Sequence, residues 1–181
     1  LVGFSEILLN NPDYPAEKQK EFLEIISESG RKMSSIISEL LLFASIKKED
    51  VNVMPVNMQF VIDNVLKRLQ FDIKNKNAKV SVKTELLEAK GYGPWIEEVW
   101  YNYIINSIKY GGDHPVIELG CNKTENNFIQ FWVKDYGPGM DKKTADNVFD
   151  LPTKDKNRSI KGHGLGLSIV NRIVIKLGGY V

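Results

Sequence analysis

A broad apolar stripe over residues 22–43 constrains the fold more than any other feature of this sequence. Its side chains recur at alternating spacings of three and four residues, which is the period of an α-helix that packs along a seam. The stripe is wider than a two-stranded coiled coil requires and is typical of a four-helix bundle. Its seam runs through Phe22, Ile26, Ser29, Met33, Ile36, Leu40 and Phe43, with Ile25, Ile37, Leu41 and Ala44 beside it.

A second, shorter helical segment precedes the stripe. Residues 1–9 have a helical composition that stops at Asn10-Asn11-Pro12, because the residue before a proline is disfavoured in the α region. Two helices cannot close a four-helix bundle, so the sequence predicts a helical hairpin that forms a homodimer. A hairpin packed on its own domain is the alternative, and the breadth and length of the stripe favour the dimer.

The charge and composition of the chain exclude several classes of function. Its 181 residues include 24 Lys and Arg and 23 Asp and Glu, so the net charge of +1 attracts neither nucleic acid nor an acidic membrane surface. The single cysteine, Cys121, excludes an internal disulfide and a multi-cysteine metal site. No apolar run approaches the roughly 20 residues that span a bilayer. We therefore expect a cytoplasmic chain without a membrane segment, although an anchor could lie upstream.

The pattern of the sequence changes at Lys47-Lys48-Glu49-Asp50, where we place a boundary between domains 1–49 and 50–181. Periodicity after this point predicts strands over 51–56, 79–84, 116–121 and 128–133, and helices over 59–75, 94–110 and 165–177. The mixture predicts an α+β chain in which helices cover one face of a mixed sheet.

A polar stripe crosses the helix predicted over 94–110. Glu98, Asn102, Asn106 and Lys109 are three or four positions apart and therefore lie on one helix face. Inward-facing asparagines need partners, so this stripe indicates either a satisfied network or a ligand site, with a solvated face as the alternative. An asparagine carbonyl is a suitable neutral ligand for Mg²⁺ that is held mainly by water and phosphates.

Two glycine-rich segments follow. Asp135-Tyr136-Gly137-Pro138-Gly139 places a carboxylate after a strand, where it could accept a hydrogen bond from an exocyclic amine, or simply cap a turn. Gly162-His163-Gly164-Leu165-Gly166-Leu167 opens the last helix, a geometry in which backbone amides hold phosphate. The sequence matches neither GxGxxG nor GxxxxGK[ST]. The charged segment 142–161 between them is predicted to be a mobile lid, with a solvated loop as the alternative.

Taken in this order, the segments resemble the ATP-binding boxes of sensor histidine kinases, which are related to gyrase, MutL and the ninety-kilodalton heat-shock chaperone. Residues 102–110 are similar to the N box and residues 135–139 to the first glycine box. Residues 148–150 are similar to the start of the F box and residues 162–167 to the second glycine box. The helix over 31–46 is similar to the second helix of the kinase dimerisation hairpin, an element that gyrase and the chaperone lack.

This resemblance implies a dimeric helical bundle followed by an α/β sandwich of the Bergerat type. It implies ATP and Mg²⁺ as cofactors, with Asn106 on the metal and Asp135 on the adenine amino group. The activity would be ATP-dependent phosphorylation of a histidine, followed by transfer to an aspartate in the receiver domain of a response regulator. The nucleotide-binding residues implied by the resemblance are Asn102, Asn106, Lys109, Tyr110, Asp135, Gly137, Gly139, Phe149, Gly162, His163, Gly164, Leu165, Gly166 and Leu167.

The chain departs from the family pattern at the phosphoacceptor. That histidine should precede Leu1 by a few residues, and the two histidines present are His114 and His163. We therefore expect a fragment that cannot phosphorylate itself at the family's site. No catalytic residue is assigned, and Asn102 remains a candidate. Relatives add a strand pair after the position of Val181, so we expect an incomplete sheet.

Three alternatives to an active kinase remain. A catalytically silent module would bind ATP and dimerise without phosphotransfer. An ATPase of the gyrase or chaperone type normally carries a carboxylate four residues before the metal asparagine, and the amide of Asn102 at that position cannot serve as a general base. A scaffold with a vestigial site would not bind ATP.

Overall fold

The computed structural model describes residues 2–11, 13–48, 50–126, 128–150 and 165–181. The chain forms two compact units, Leu1–Lys47 and Lys48–Val181, which divide within the charged segment where the sequence pattern changes. Among the described helices, none is long and apolar enough to cross a membrane. The assignment of separate functions to residues 1–49 and 50–181 remains a prediction.

The first unit is the predicted helical hairpin. Helix α1 spans Val2–Asn10 and helix α2 spans Ala16–Lys48. The ring of Phe22 on α2 lies 5.1 Å from the ring of Phe4 and 5.5 Å from that of Tyr14, measured between centroids. The turn is closed by hydrogen bonds in which the Tyr14 amide donates to the Asn11 carbonyl (3.1 Å) and the Asn11 side chain donates to the Ile7 carbonyl (2.9 Å). These contacts fix α1 against the first part of α2.

The second part of α2 leaves much of its apolar stripe uncovered within this unit. Met33, Ile37, Leu40 and Leu41 are each between 47% and 67% exposed. All four belong to the seam or to its flanking row. Exposed side chains of this size arranged at helical spacing indicate a surface that packs against another helix.

The second unit combines helices with two small sheets. Its elements in chain order are β1 (Met54–Val56), α3 (Met58–Arg68), α4 (Gln70–Asn75), β2 (Lys79–Val82), β3 (Ala89–Gly91), α5 (Gly93–Tyr110), β4 (Val116–Lys123), β5 (Ile129–Asp135), α6 (Lys142–Asp146) and α7 (Leu165–Lys176). The helix α6 begins the charged segment that we predicted to be a lid. Residues 151–164 of that segment lie outside the described residues.

The larger sheet has the strand order β2-β4-β5. β2 pairs with β4 in parallel and β4 pairs with β5 antiparallel, so the sheet is mixed, as predicted. β1 pairs only with β3 in the described residues, antiparallel, and β3 was not predicted. The first strand is also shorter than predicted, because ladder pairing begins at Met54 and not at Val51. Helix α5 lies in the connection between the parallel strands, as such a connection requires.

The core of this unit lies between α3, α5 and the sheet. Ile62 and Val65 of α3, Ile104 of α5, and Ile117 and Leu119 of β4 are all fully buried. These residues recur at helical spacing on α3 and at alternating positions on β4, as the sequence patterns predicted. The core holds α5 against the sheet, so residues near the end of α5 have a defined position relative to the ends of β4 and β5.

The helix predicted over 59–75 is interrupted, which corrects that prediction. α3 ends at Arg68, and Leu69 has φ −91° and ψ 4°, outside the α-helical range. The Leu69 amide still donates to the Val65 carbonyl at 2.9 Å. Leu69 is completely buried while Phe71 of α4 is 76% exposed. Burial of Leu69 therefore determines the path of the chain at a position without the glycine or proline that would mark a break.

Gly120 of β4 has no room for a side chain. It lies opposite Trp132 of β5 in the ladder, and a Cβ atom at Gly120 would overlap the indole ring. We expect Gly120→Ala to lower the free energy of unfolding by about 1–2 kcal/mol, because the ring must move from its position across the strand. All three tryptophans, Trp95, Trp100 and Trp132, lie in the second unit, so tryptophan fluorescence during urea unfolding measures this unit.

The matched control is Gly93→Ala. Gly93 begins α5 and has open space where a Cβ would lie. Equal unfolding midpoints for the Gly120 and Gly93 variants would contradict the steric role of Gly120.

Candidate functional site

Asp135 ends β5 with its carboxylate held at both oxygens. The Gly137 amide donates to Oδ1 at 3.0 Å, and the Ser107 hydroxyl of α5 donates to Oδ2 at 3.3 Å. The residue is nevertheless exposed, so the carboxylate retains free lone pairs toward solvent. The site therefore presents a fixed hydrogen-bond acceptor at the place where β5 ends beside α5.

The turn after Asp135 comes close to the end of α5. A Cβ atom on Gly137 would lie 2.9 Å from the Gly111 Cα and 3.0 Å from the Tyr110 carbonyl oxygen, so only glycine fits there. Gly139 has φ +72°, in the left-handed region that favours glycine. The two glycines thus have different roles, since one allows close backbone approach and the other allows the turn.

Asn106 and Asn102 both lie in the polar stripe of α5, but they differ in burial and in hydrogen bonding. The side-chain amide of Asn106 is half-buried and forms no hydrogen bond with other described residues. The Asn102 amide is buried, and its Nδ2 donates to the Glu98 carbonyl at 2.8 Å. The stripe is therefore neither a plain solvated face nor a fully satisfied network. Of the two asparagines, Asn106 is the one whose amide has no hydrogen-bond partner in the described part of the chain.

Helix α7 begins against Asn102. A Cβ atom on Gly166 would overlap Asn102 Oδ1 and would lie 3.2 Å from Asn102 Cγ. Leu165, Gly166 and Leu167 form the first turn of α7 and are half-buried. The structure thus brings the predicted helix entry to the same face of α5 that carries the two asparagines. Gly162, His163 and Gly164 lie outside the described residues.

The other predicted site residues that the structure describes are Lys109, Tyr110 and Phe149. Lys109 and Tyr110 end α5 and are exposed, and the Tyr110 carbonyl borders Gly137. Phe149 is half-buried in the turn after α6. Neither Lys109 nor Phe149 contacts Asp135 through a hydrogen bond in the described part of the chain.

Two residues were not identified from the sequence, one bonded to Asp135 and one bonded to the neighbouring Tyr136. Ser107 is 6% exposed and supplies the hydroxyl on Asp135. Glu118 of β4 accepts a hydrogen bond from the Tyr136 hydroxyl at 3.0 Å and forms an ion pair with Lys83 at 2.9 Å. The hydrogen bond and charge of Lys83 lower the pKa of the Glu118 carboxyl. Ser107 could have been noticed as a polar residue between Asn106 and Lys109. Nothing in the local sequence indicated Glu118.

The oxygen atom that Asn106 offers suits a divalent cation that is held mostly by phosphates and water. No group of three or more His, Cys, Asp or Glu side chains that could hold a metal occurs among the residues that the structure describes. Mg²⁺ is commonly bound through one or two protein oxygens together with phosphates and water. The Asn106 carbonyl can supply such an oxygen.

The strand-end carboxylate, the asparagine without a partner among the described residues and the glycine-permitted helix entry form a site of the kind that can hold a nucleotide, in an α/β unit that follows a helical hairpin along the chain. Residues 91–181 match the family described as "Histidine kinase-, DNA gyrase B-, and HSP90-like ATPase", and residues 1–49 match the "His Kinase A (phospho-acceptor) domain". The chain therefore belongs to the histidine kinase branch of this ATPase family, which confirms the predicted family and fold class.

Three known proteins illustrate the similarity. The methanogenesis regulatory histidine kinase FilI of Methanothrix harundinacea is 32% identical over 99% of this chain and 20% of its own length. The structure of full-length ShkA in complex with AMPPNP has a TM-score of 0.70 at 23% identity, covering 94% of this chain and 36% of that one. Histidine kinase ThkA in complex with response regulator protein TrrA has a TM-score of 0.71 at 19% identity, covering 97% and 50%.

The sequence corresponds to only part of its curated relatives. It spans 20% of FilI and 60% of the sensor histidine kinase YcbM of Bacillus subtilis. The activity and partners of the whole protein are therefore matters for proposal.

Proposed function

We propose that this chain is the part of a two-component sensor histidine kinase that binds ATP and Mg²⁺ for the phosphorylation of a histidine. The observation that carries the proposal is the Asp135 carboxylate, anchored by Ser107 and Gly137 yet open to a ligand. An anchored carboxylate can only accept hydrogen bonds, and the adenine amino group is a donor that it can bind. We also propose that the domain lies in the cytoplasm, because the ATP that it would bind is found there.

Each end of the nucleotide would meet a different part of the site. Asp135 would bind the base, while Gly137 and Gly139 let the backbone approach it. The Asn106 carbonyl would help to hold Mg²⁺, which neutralises phosphate charge when bound. Lys109, Tyr110 and Phe149 would flank the nucleotide, and backbone amides of 162–167 would hold its phosphates. The complex of ShkA with AMPPNP, which has the same fold, supports nucleotide binding here.

Phosphoryl transfer needs an acceptor that residues 1–49 do not contain. The histidines of this sequence are His114, which is exposed between α5 and β4, and His163. We propose that neither is the acceptor, because neither lies in the hairpin. This sequence by itself would then bind ATP without phosphorylating itself at the family's site.

Dimerisation and a response regulator complete the proposed function. The exposed apolar residues of α2 supply a surface for a second copy of the hairpin, which would close a four-helix bundle. The complex of ThkA with TrrA supports a receiver domain as the partner that takes the phosphoryl group. A silent module that binds ATP and dimerises remains the second candidate, since the described residues account for binding more directly than for transfer.

Calorimetry with ATP tests the metal role of Asn106. We expect Asn106→Ala to weaken binding about tenfold in Mg²⁺ and to leave binding in EDTA unchanged, because only the metal-bound nucleotide uses the amide oxygen. Asn64→Ala is the matched control, since Asn64 is also a half-buried helical asparagine. A parent chain that binds no ATP in either condition would refute the proposed function. An equal loss with and without Mg²⁺ would refute the metal role.

A further inference from the structure

The hydroxyl of Ser107 donates a hydrogen bond to another element and not to a carbonyl of its own helix. Helical serines usually donate to a carbonyl three or four residues earlier. Ser45 does so toward the Leu42 carbonyl at 3.0 Å, and Ser168 toward the Leu165 carbonyl at 2.8 Å. Ser107 instead donates across to Asp135, 28 positions later in the chain. Its hydroxyl thus connects α5 to the end of β5.

This bond completes the fixation of the Asp135 carboxylate. The Gly137 amide alone would hold Oδ1 and would leave the carboxylate able to rotate about that contact. A second donor on Oδ2 fixes the plane of the group and therefore the direction of its remaining lone pairs. The Oγ to Oδ2 distance of 3.3 Å is long for such a bond. Hydrogen bonds in ligand-free sites are often long and tighten in the complex.

The direction of those lone pairs determines which base fits. A carboxylate has no proton to offer, so it attracts an exocyclic amine and repels an exocyclic carbonyl. A site built to bind one hydrogen-bonding group discriminates strongly against an analogue that lacks it, because its own polar group is then left without a partner. Discrimination requires that the acceptor be held in place.

We propose that Ser107 is a positioning residue that sets the orientation of Asp135 and thereby the selectivity of this site for 6-aminopurine nucleotides. The inference rests on the proposed function, since it assumes that Asp135 binds the base. Ser107 acts through Asp135 and needs no contact with the nucleotide. Ser107 directly follows Asn106 in α5, so the residue that would orient the base-binding carboxylate and the residue that would bind the metal lie in the same helical turn.

The alternative role for Ser107 is to fill space, since it is only 6% exposed. Alanine differs from serine by one oxygen atom and has the highest helix propensity, so Ser107→Ala preserves packing and helix. A space-filling role predicts the same change in affinity for every nucleotide. A positioning role predicts a change only for nucleotides that carry the 6-amino group.

The test measures binding of ATP and of purine riboside 5′-triphosphate, which has hydrogen in place of the amine. We expect Ser107→Ala to weaken ATP binding about fivefold and to leave binding of the analogue unchanged. Ser45→Ala is the matched control, since the hydrogen bond described for its hydroxyl lies within its own helix. In an Asp135→Asn background, Ser107→Ala should no longer lower the affinity for ATP.

The possible results separate the positioning role of Ser107 from the proposed function. Equal weakening of both nucleotides, or no weakening of ATP, would overturn the positioning role while leaving the proposed function intact. A parent chain that binds ATP no more tightly than the analogue would remove the role of Asp135 and with it that of Ser107. A parent chain that binds neither nucleotide would refute the proposed function itself.

Discussion

Replacing Asp135 with asparagine is expected to lower the affinity for ATP by about 30-fold, or roughly 2 kcal/mol, because a hydrogen bond to a charged group is lost. The amide has nearly the same shape and can still accept a bond from the Gly137 amide. Its NH₂ group can donate to a 6-oxo group, which the carboxylate repels. We therefore expect the preference for ATP over inosine triphosphate to disappear in Asp135→Asn, as measured by calorimetry with both nucleotides.

Asp63→Asn is the matched control for this change. Asp63 is an exposed aspartate of α3 that accepts one hydrogen bond from Gln59 at 2.9 Å. Removal of its charge should affect both nucleotides equally and weakly. If Asp135→Asn kept the preference of the parent chain for ATP, the carboxylate would not bind the base.

Gly166→Val is expected to lower the free energy of unfolding of the second unit by about 3 kcal/mol, because a branched side chain has no room against Asn102. The buried Asn102 amide cannot move aside without losing its bond to the Glu98 carbonyl. Urea unfolding followed by tryptophan fluorescence measures the loss. Since Gly166 lies at the entry of α7, binding of ATP should also weaken.

Two further variants separate the steric cause from a general effect of valine in a helix. Gly93→Val is the control, because Gly93 of α5 lies in the same unit, has open space where a Cβ atom would lie and should lose much less. Asn102→Ala removes the opposing amide, so the double variant with Gly166→Val should lose less stability than the sum of the single variants. Strict additivity would contradict a direct clash between the two residues.

The periodic parts of the fold could be predicted from the sequence. Helix α5 was predicted over 94–110 and spans Gly93–Tyr110, because its apolar residues recur at helical spacing. The strand before Asp135 was recognised from the same kind of pattern. Such elements bury one face regardless of details elsewhere, so the sequence pattern records them directly.

Elements that depend on a distant partner could not be predicted. β3 consists of Ala89, Lys90 and Gly91, which have low strand propensity, and it forms because β1 pairs with it. The break at Leu69 follows from burial of one side chain and carries no glycine or proline. In both cases tertiary structure overrides local preference.

The candidate site shows the same limit. Its asparagines, aspartate and glycines were predicted from short motifs, and the structure brings Asp135, Gly137 and the end of α5 together. Ser107 was not selected, because a buried serine in a helix usually bonds within that helix. Only the contact between α5 and the end of β5 shows that its hydroxyl is bound to Asp135.

The bond between Ser107 and Asp135 also couples ligand binding to folding. Its two partners lie 28 positions apart on separate elements, so the oriented carboxylate exists only after β5 has docked beside α5. A nucleotide that uses this carboxylate would bind the folded unit and not the unfolded chain. Mass action then favours the folded form, by about 2.7 kcal/mol at a ligand concentration one hundred times Kd. The free energy of unfolding would consequently rise with the concentration of ATP.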